Sequence, residues 1–122
     1  MRRVIVICGL IGTAVLPAAG REPLAIDVSP AVAFAPANVR IRARIEPNPD
    51  NRRITVVADG AAFYRSSEMQ LDGEQAPKVI ELWFRDVPGG DYEIYAILTD
   101  SVGRQRAVAH HTTKVMSPFE GQ

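Results

Sequence analysis

The sequence predicts an all-β fold, a single antiparallel sandwich of about seven strands behind an export signal. Two observations predict the sandwich. From Leu24 onward, short runs that alternate apolar and polar residues are separated by Pro, Gly and Asp clusters, with no helical period and no repeat. The stretch from Asp86 to Gly103 also spells a turn, a strand and a second turn: Pro88, Gly89 and Gly90 open it, Tyr92, Ile94, Ala96 and Leu98 alternate, and Asp100 to Gly103 closes a hairpin. The export signal rests on Arg2 and Arg3, the apolar run Val4 to Leu16, and the small residues Ala18, Ala19 and Gly20 after Pro17.

The chain divides into a signal peptide at 1–20, cleaved before Arg21, a sandwich at 21–116 and a flexible tail at 117–122. A retained anchor is the alternative, but the apolar run falls short of the ~20 residues a spanning helix needs. Cys8 lies inside that run rather than at its end, which disfavours lipid attachment. Removing the segment removes the single cysteine, so the mature domain has no disulfide and depends on its core. Lysine plus arginine balances aspartate plus glutamate at 14 each, and loss of Arg2 and Arg3 leaves a slightly acidic protein. Nothing in that charge attracts nucleic acid, and membrane contact is expected only during export.

Leu24, Ile26 and Val28 form the first strand, an edge strand ended by Ser29-Pro30. Val39, Ile41, Ala43 and Ile45 face inward in the second, with Arg40, Arg42 and Arg44 outward. The loop Glu46 to Asn51 follows, and Ile54, Val56 and Ala58 make the third inward row. Between Ala61 and Pro77 the pattern weakens to a short strand at Phe63 and Tyr64, with Leu71 dipping into the core. Ile80, Leu82 and Phe84 point inward and Val79, Glu81 and Trp83 outward, the register that keeps Glu81 in water. The last strand runs from about Arg104 to Val115. A lipocalin-like barrel needs more chain than this.

The residues Gly90, Tyr92, Ile94, Thr99, Asp100 and Gly103 resemble the late strands of bacterial immunoglobulin-like sandwiches of the PKD and fibronectin type III kind. That resemblance implies that Tyr92 is a corner tyrosine, its ring in the core and its hydroxyl bonded back to the preceding turn. It carries fold and no activity.

Three sets of residues raise questions of function. Arg40, Arg42 and Arg44 project from one sheet face at about 6 to 7 Å intervals. With Trp83 they could bind a glycan or other anionic polysaccharide; alternatively, cross-strand pairing with Glu81 and Trp83 occupies them. Val57, Tyr95 and Ile97 fall on the outer face of the other sheet, an exposed apolar patch suited to a protein partner or a homodimer unless the Ala61 to Pro77 connection covers it. His110 and His111 are strand neighbours on opposite faces, one packed and one in water, and cannot chelate one ion together. Asp72, Glu74, Asp86 and Asp91 could lend oxygens to a calcium ion, although turn formation already explains them. No nucleophile elbow, phosphate loop or zinc spacing is present. The expectation is a non-catalytic binding or structural module, periplasmic or secreted, with no cofactor, no metal and no catalytic residues.

Overall fold

The computed structural model describes residues 22–117. The expected signal peptide at 1–20 and all but Ser117 of the expected tail lie outside the described residues. Eight strands form: β1 (Leu24–Ser29), β2 (Val32–Phe34), β3 (Ala37–Ile45), β4 (Arg53–Asp59), β5 (Tyr64–Gln70), β6 (Val79–Val87), β7 (Gly90–Thr99) and β8 (Gln105–Met116). They pack as a three-stranded sheet of order β1-β3-β6 against a five-stranded sheet of order β2-β8-β7-β4-β5. The hairpins β4–β5 and β7–β8 stay within one sheet, the other connections cross between sheets, and non-consecutive strands become neighbours, the Greek-key division of an immunoglobulin-like sandwich.

The expected inward rows line the core. Val39, Ile41, Ala43 and Ile45 of β3 face Ile54, Val56 and Ala58 of β4 and Tyr92, Ile94, Ala96 and Leu98 of β7, all buried. Ile80 and Phe84 of β6 are buried too, and Leu82 between them is half-buried against the same cluster. Leu71 enters the core just after β5, as expected.

The strand count differs from seven because of β2, which sequence reading passes over. It is three residues long, lies between two prolines with cis peptide bonds at Pro30 and Pro36, and pairs parallel to the end of β8. That makes the five-stranded sheet mixed rather than purely antiparallel. Its anchor is Thr113, whose buried hydroxyl donates to the carbonyls of Pro30 and Ala31 at 2.8 and 3.0 Å. The Ala61 to Pro77 connection also holds more structure than its composition suggests: β5 pairs with β4 over seven positions.

The predicted turns close as local chemistry requires. Tyr92 is buried, and its hydroxyl donates to the Pro88 carbonyl at 2.7 Å, which is the tyrosine corner. At the entry to that turn the left-handed conformation is taken by Asp86, φ 58°, where a bulge separates the β3 and β6 registers and the Asn38 side chain accepts from the Asp86 N–H at 3.3 Å.

In the β7–β8 hairpin, the Asp100 carboxylate accepts from the backbone N–H groups of Arg104 (2.8 Å) and Val102 (3.0 Å) and from the Arg104 guanidinium (3.2 Å). The Arg104 backbone bond is the chief cause that holds its pKa below the ordinary aspartate value. A depressed folded-state pKa contributes stability above the unfolded value, and that contribution is lost as the pH falls through the folded one. The stability margin of the native chain over Asp100→Asn is therefore expected at neutral pH and to close below the ordinary aspartate range. Urea titrations at several pH values check this; a margin that ignores pH overturns it.

Candidate functional site

The outer face of the five-stranded sheet is built by residues that alternate with the core rows. Register places Val57 of β4 between Ser66 of β5 and Tyr95 of β7, Tyr95 beside His110 of β8, and Ile97 beside Val108. Tyr64, opposite Asp59 at the far end of β5, joins the same face. A band thus runs obliquely from Tyr64 through Tyr95 and Ile97 to Val108.

The expected exposed patch is corrected at one of its members: Val57 is only 3% accessible. It is a short side chain in the middle of the sheet. Ser66 and Tyr95 flank it on the neighbouring strands, and the Tyr95 phenol has its pKa raised by desolvation and then by Tyr64, Asp59 and Glu93. Tyr95 and Ile97 themselves are half-buried. The open parts of the band are Tyr64, 61% accessible, and Val108, 45% accessible. Sequence reading missed both. Val108 carried a signal, an apolar residue between the small inward Ala107 and Ala109; Tyr64 carried none until β5 was placed.

The connection that could have covered this face extends the sheet instead. As β5 it hydrogen-bonds to the edge of β4, so the outer surface stays open. Beyond Tyr95 the face ends in a groove of about 880 Å³, lined by Val32, Asp59, Gly60, Asp91, Glu93 and Lys114 among others. Lys114 pairs with Asp91 at 3.1 Å and His110 lies 3.9 Å from Glu93.

On the opposite sheet the arginine row stands where register reasoning put it. Arg42 is directly opposite Glu81 and Arg40 opposite Trp83, with both guanidinium groups 3.4 Å from the Glu81 carboxylate. Arg44 faces Ala25 and Val79. Trp83, 45% accessible, takes its cation from a residue outside the row: the Arg85 guanidinium lies 5.5 Å from the ring centre. Each of these exposed ion pairs and stacks contributes at most about 1 kcal/mol.

Both histidines are exposed, which corrects the expectation that one would be packed. The reason is the edge: β2 pairs only with Lys114–Met116 of β8, leaving the strand around His111 uncovered on that side. His111 Nδ1 lies 3.0 Å from the Thr112 carbonyl. Among the described residues no group of three or more His, Cys, Asp or Glu side chains gathers as a metal-binding set.

No family model matches this chain, and no curated protein matches its sequence. Solved structures do share its shape. The superoxide reductase (neelaredoxin) from Ignicoccus hospitalis superposes with a TM-score of 0.56 at 11% identity, covering 79% of this chain and 80% of that one. The CARDB domain of a Pyrococcus furiosus protein, solved in complex with di-metal ions, superposes with a TM-score of 0.49 at 15% identity, covering 77% of this chain and 91% of that one. The likeness to the reductase is one of fold alone.

Proposed function

We propose that this chain is a non-catalytic, exported binding module of the PKD or fibronectin type III kind, and that it acts through protein contacts on the outer face of its five-stranded sheet. The observation that carries the reading is that Tyr64, Tyr95, Ile97 and Val108 share one sheet face, left open because β5 widens the sheet instead of folding over it. Two tyrosines supply large, rigid contact area with a polar tip, the residue type that anchors protein interfaces. The neighbouring groove, with Asp59, Asp91 and Glu93, supplies a polar rim.

The glycan reading of Arg40, Arg42, Arg44 and Trp83 has weaker support. Glu81 already engages two of the arginines, and Arg85 occupies one side of the Trp83 ring that a sugar would stack on.

Ile97→Asp separates the two readings. The protein immobilised and exposed to a native extract of its own cells is expected to retain a protein partner at high salt. Ile97→Asp should weaken that retention more than about tenfold, while Arg42→Ala leaves it intact, with circular dichroism confirming that both variants fold. Retention indifferent to Ile97→Asp, or abolished by salt and by Arg42→Ala, overturns the proposal and favours an anionic glycan.

A further inference from the structure

The three-stranded sheet ends at β6, which pairs with β3 on one side through Val79 to Phe84 and Val87; among the described residues no strand pairs with it on the other. The chain reaches β6 through a 3-10 turn at Gly73–Gln75 and an extended connection, not through a strand that would cover this edge. An open edge of that length is a template for pairing unless it is blunted. One end is blunted by the bulge at Asp86 and by Arg65, which donates to the Arg85 carbonyl at 3.0 Å. Between Val79 and Phe84 no Pro, Gly or Lys intervenes.

Two side chains on this strand are incompletely satisfied. Leu82 points into the core yet is half-buried, although Ile80 and Phe84 on either side of it are buried. Arg85 stacks on Trp83 and has no carboxylate partner among the described residues. An antiparallel strand that fits here presents an apolar side chain inward beside Leu82 and a carboxylate outward beside Arg85.

We propose that this strand is β6 of a second copy of the chain, paired about a two-fold axis at Trp83. Such an axis, normal to the sheet, keeps inward residues inward, so it must pass through a residue and not between two. At Trp83 it sets Glu81 against the second copy's Arg85, Leu82 against the second copy's Phe84, and the two tryptophans against each other. Axes at Glu81 or Arg85 set like charges face to face, which destabilises a cross-strand pair. An axis at Leu82 leaves Arg85 opposite Val79, and one at Phe84 sets Asp86 beside Leu82. Charge and polarity together select Trp83. The unobstructed ladder spans Leu82 to Phe84 in each copy, and pairing of Glu81 with the second copy's Arg85 requires Arg65 to release the Arg85 carbonyl; the contact is well below the burial of a standard interface at roughly 1,600 Å², so the pair is reversible. This edge belongs to the sheet opposite the tyrosine band, and the inference stands apart from that band's function.

Cysteine trapping tests it in the full chain carrying Cys8→Ser. Directly opposed residues of an antiparallel pair have Cα atoms about 4.5 to 5.5 Å apart, within the range a disulfide spans. Trp83→Cys is expected to give, on mild oxidation, a species of twice the monomer mass that reduction removes. Val102→Cys, on the exposed β7–β8 turn, should remain monomeric. Glu81→Cys and Arg85→Cys should cross-link when mixed and not when alone. A Trp83→Cys dimer yield no greater than that of Val102→Cys overturns the proposal. So does Glu81→Cys cross-linking alone as readily as in the mixture, because the register would then be another.

Discussion

Tyr92→Ala is expected to cost the fold about 4 kcal/mol, the range for emptying a large aromatic site in a packed core. The Tyr92 ring is buried, meets Phe63 edge-on at 5.9 Å, and lies so close over Gly60 that a Cβ there would sit 2.5 Å from ring atom Cε1. Gly60 is thus the floor beneath the ring. Tyr92→Phe keeps that packing and removes only the bond to the Pro88 carbonyl, for about 1 kcal/mol. Equilibrium urea unfolding separates the two variants; equal costs, or a cost for alanine below about 2 kcal/mol, would refute the corner as a packing device. Alkaline pH offers a second check. Burial raises the Tyr92 phenol above its ordinary pKa, so its contribution is whole below the ordinary tyrosine value and is lost as the pH rises through the raised one. Tyr92→Phe should lack that alkaline loss.

Asn51→Ala is the second large loss, about 3 kcal/mol. Asn51 is wholly buried at the base of the loop between β3 and β4. Its side-chain amide donates to the Glu46 carbonyl at 2.9 Å, and its side-chain oxygen accepts from the Arg106 guanidinium at 2.6 Å. Its backbone N–H donates to the Asn48 carbonyl, and its own carbonyl accepts from Gly73. One residue therefore ties the loop to itself, to β8 and to the 3-10 turn before β6. Alanine keeps the backbone bonds and leaves a carbonyl and a guanidinium without their partner, which costs more than the net value of the bonds removed. Arg106→Ala should cost less, about 2 kcal/mol, because only the Asn51 oxygen is orphaned. In a domain of this size each kcal/mol lowers the melting temperature by about 4 to 8 °C, so calorimetry reads the order directly. An Asn51→Ala change within about 0.5 kcal/mol of the native chain would refute the hub.

The two residues differ in how openly the sequence announces them. Tyr92 sits in a recognisable corner, Gly-x-Tyr after a Pro-Gly-Gly turn, and its acceptor is four residues away, within reach of local geometry. Asn51 looks like any loop asparagine between prolines; its partner Arg106 is 55 positions distant. The Arg42 and Glu81 pairing was legible because sandwich connectivity brings those strands together and alternation then sets the register. The Arg85 stack on Trp83 was not, because strand pairing points to the cross-strand Arg40 as the ring's cation and Arg85 is a neighbour on Trp83's own strand.

What the sequence determined by itself is whatever follows from the two-residue period of a strand and from the fixed dihedrals of Pro and Gly: the inward rows of β3, β4, β6 and β7, the turns between them, the corner at Tyr92 and the class of the fold. Only the tertiary structure decided what happens to the outward residues. Val57 and Ile97 read alike in the sequence, yet Val57 between β5 and β7 is buried while Ile97 stays half-open beside an exposed Val108. Whether residues 61–77 cover a face or lengthen it, and whether β6 ends the sheet bare, depends on which distant strand occupies each edge. Alternation along a strand is a local property of the backbone. The cover over an outward side chain is supplied by residues far away in the chain, and no local pattern encodes it.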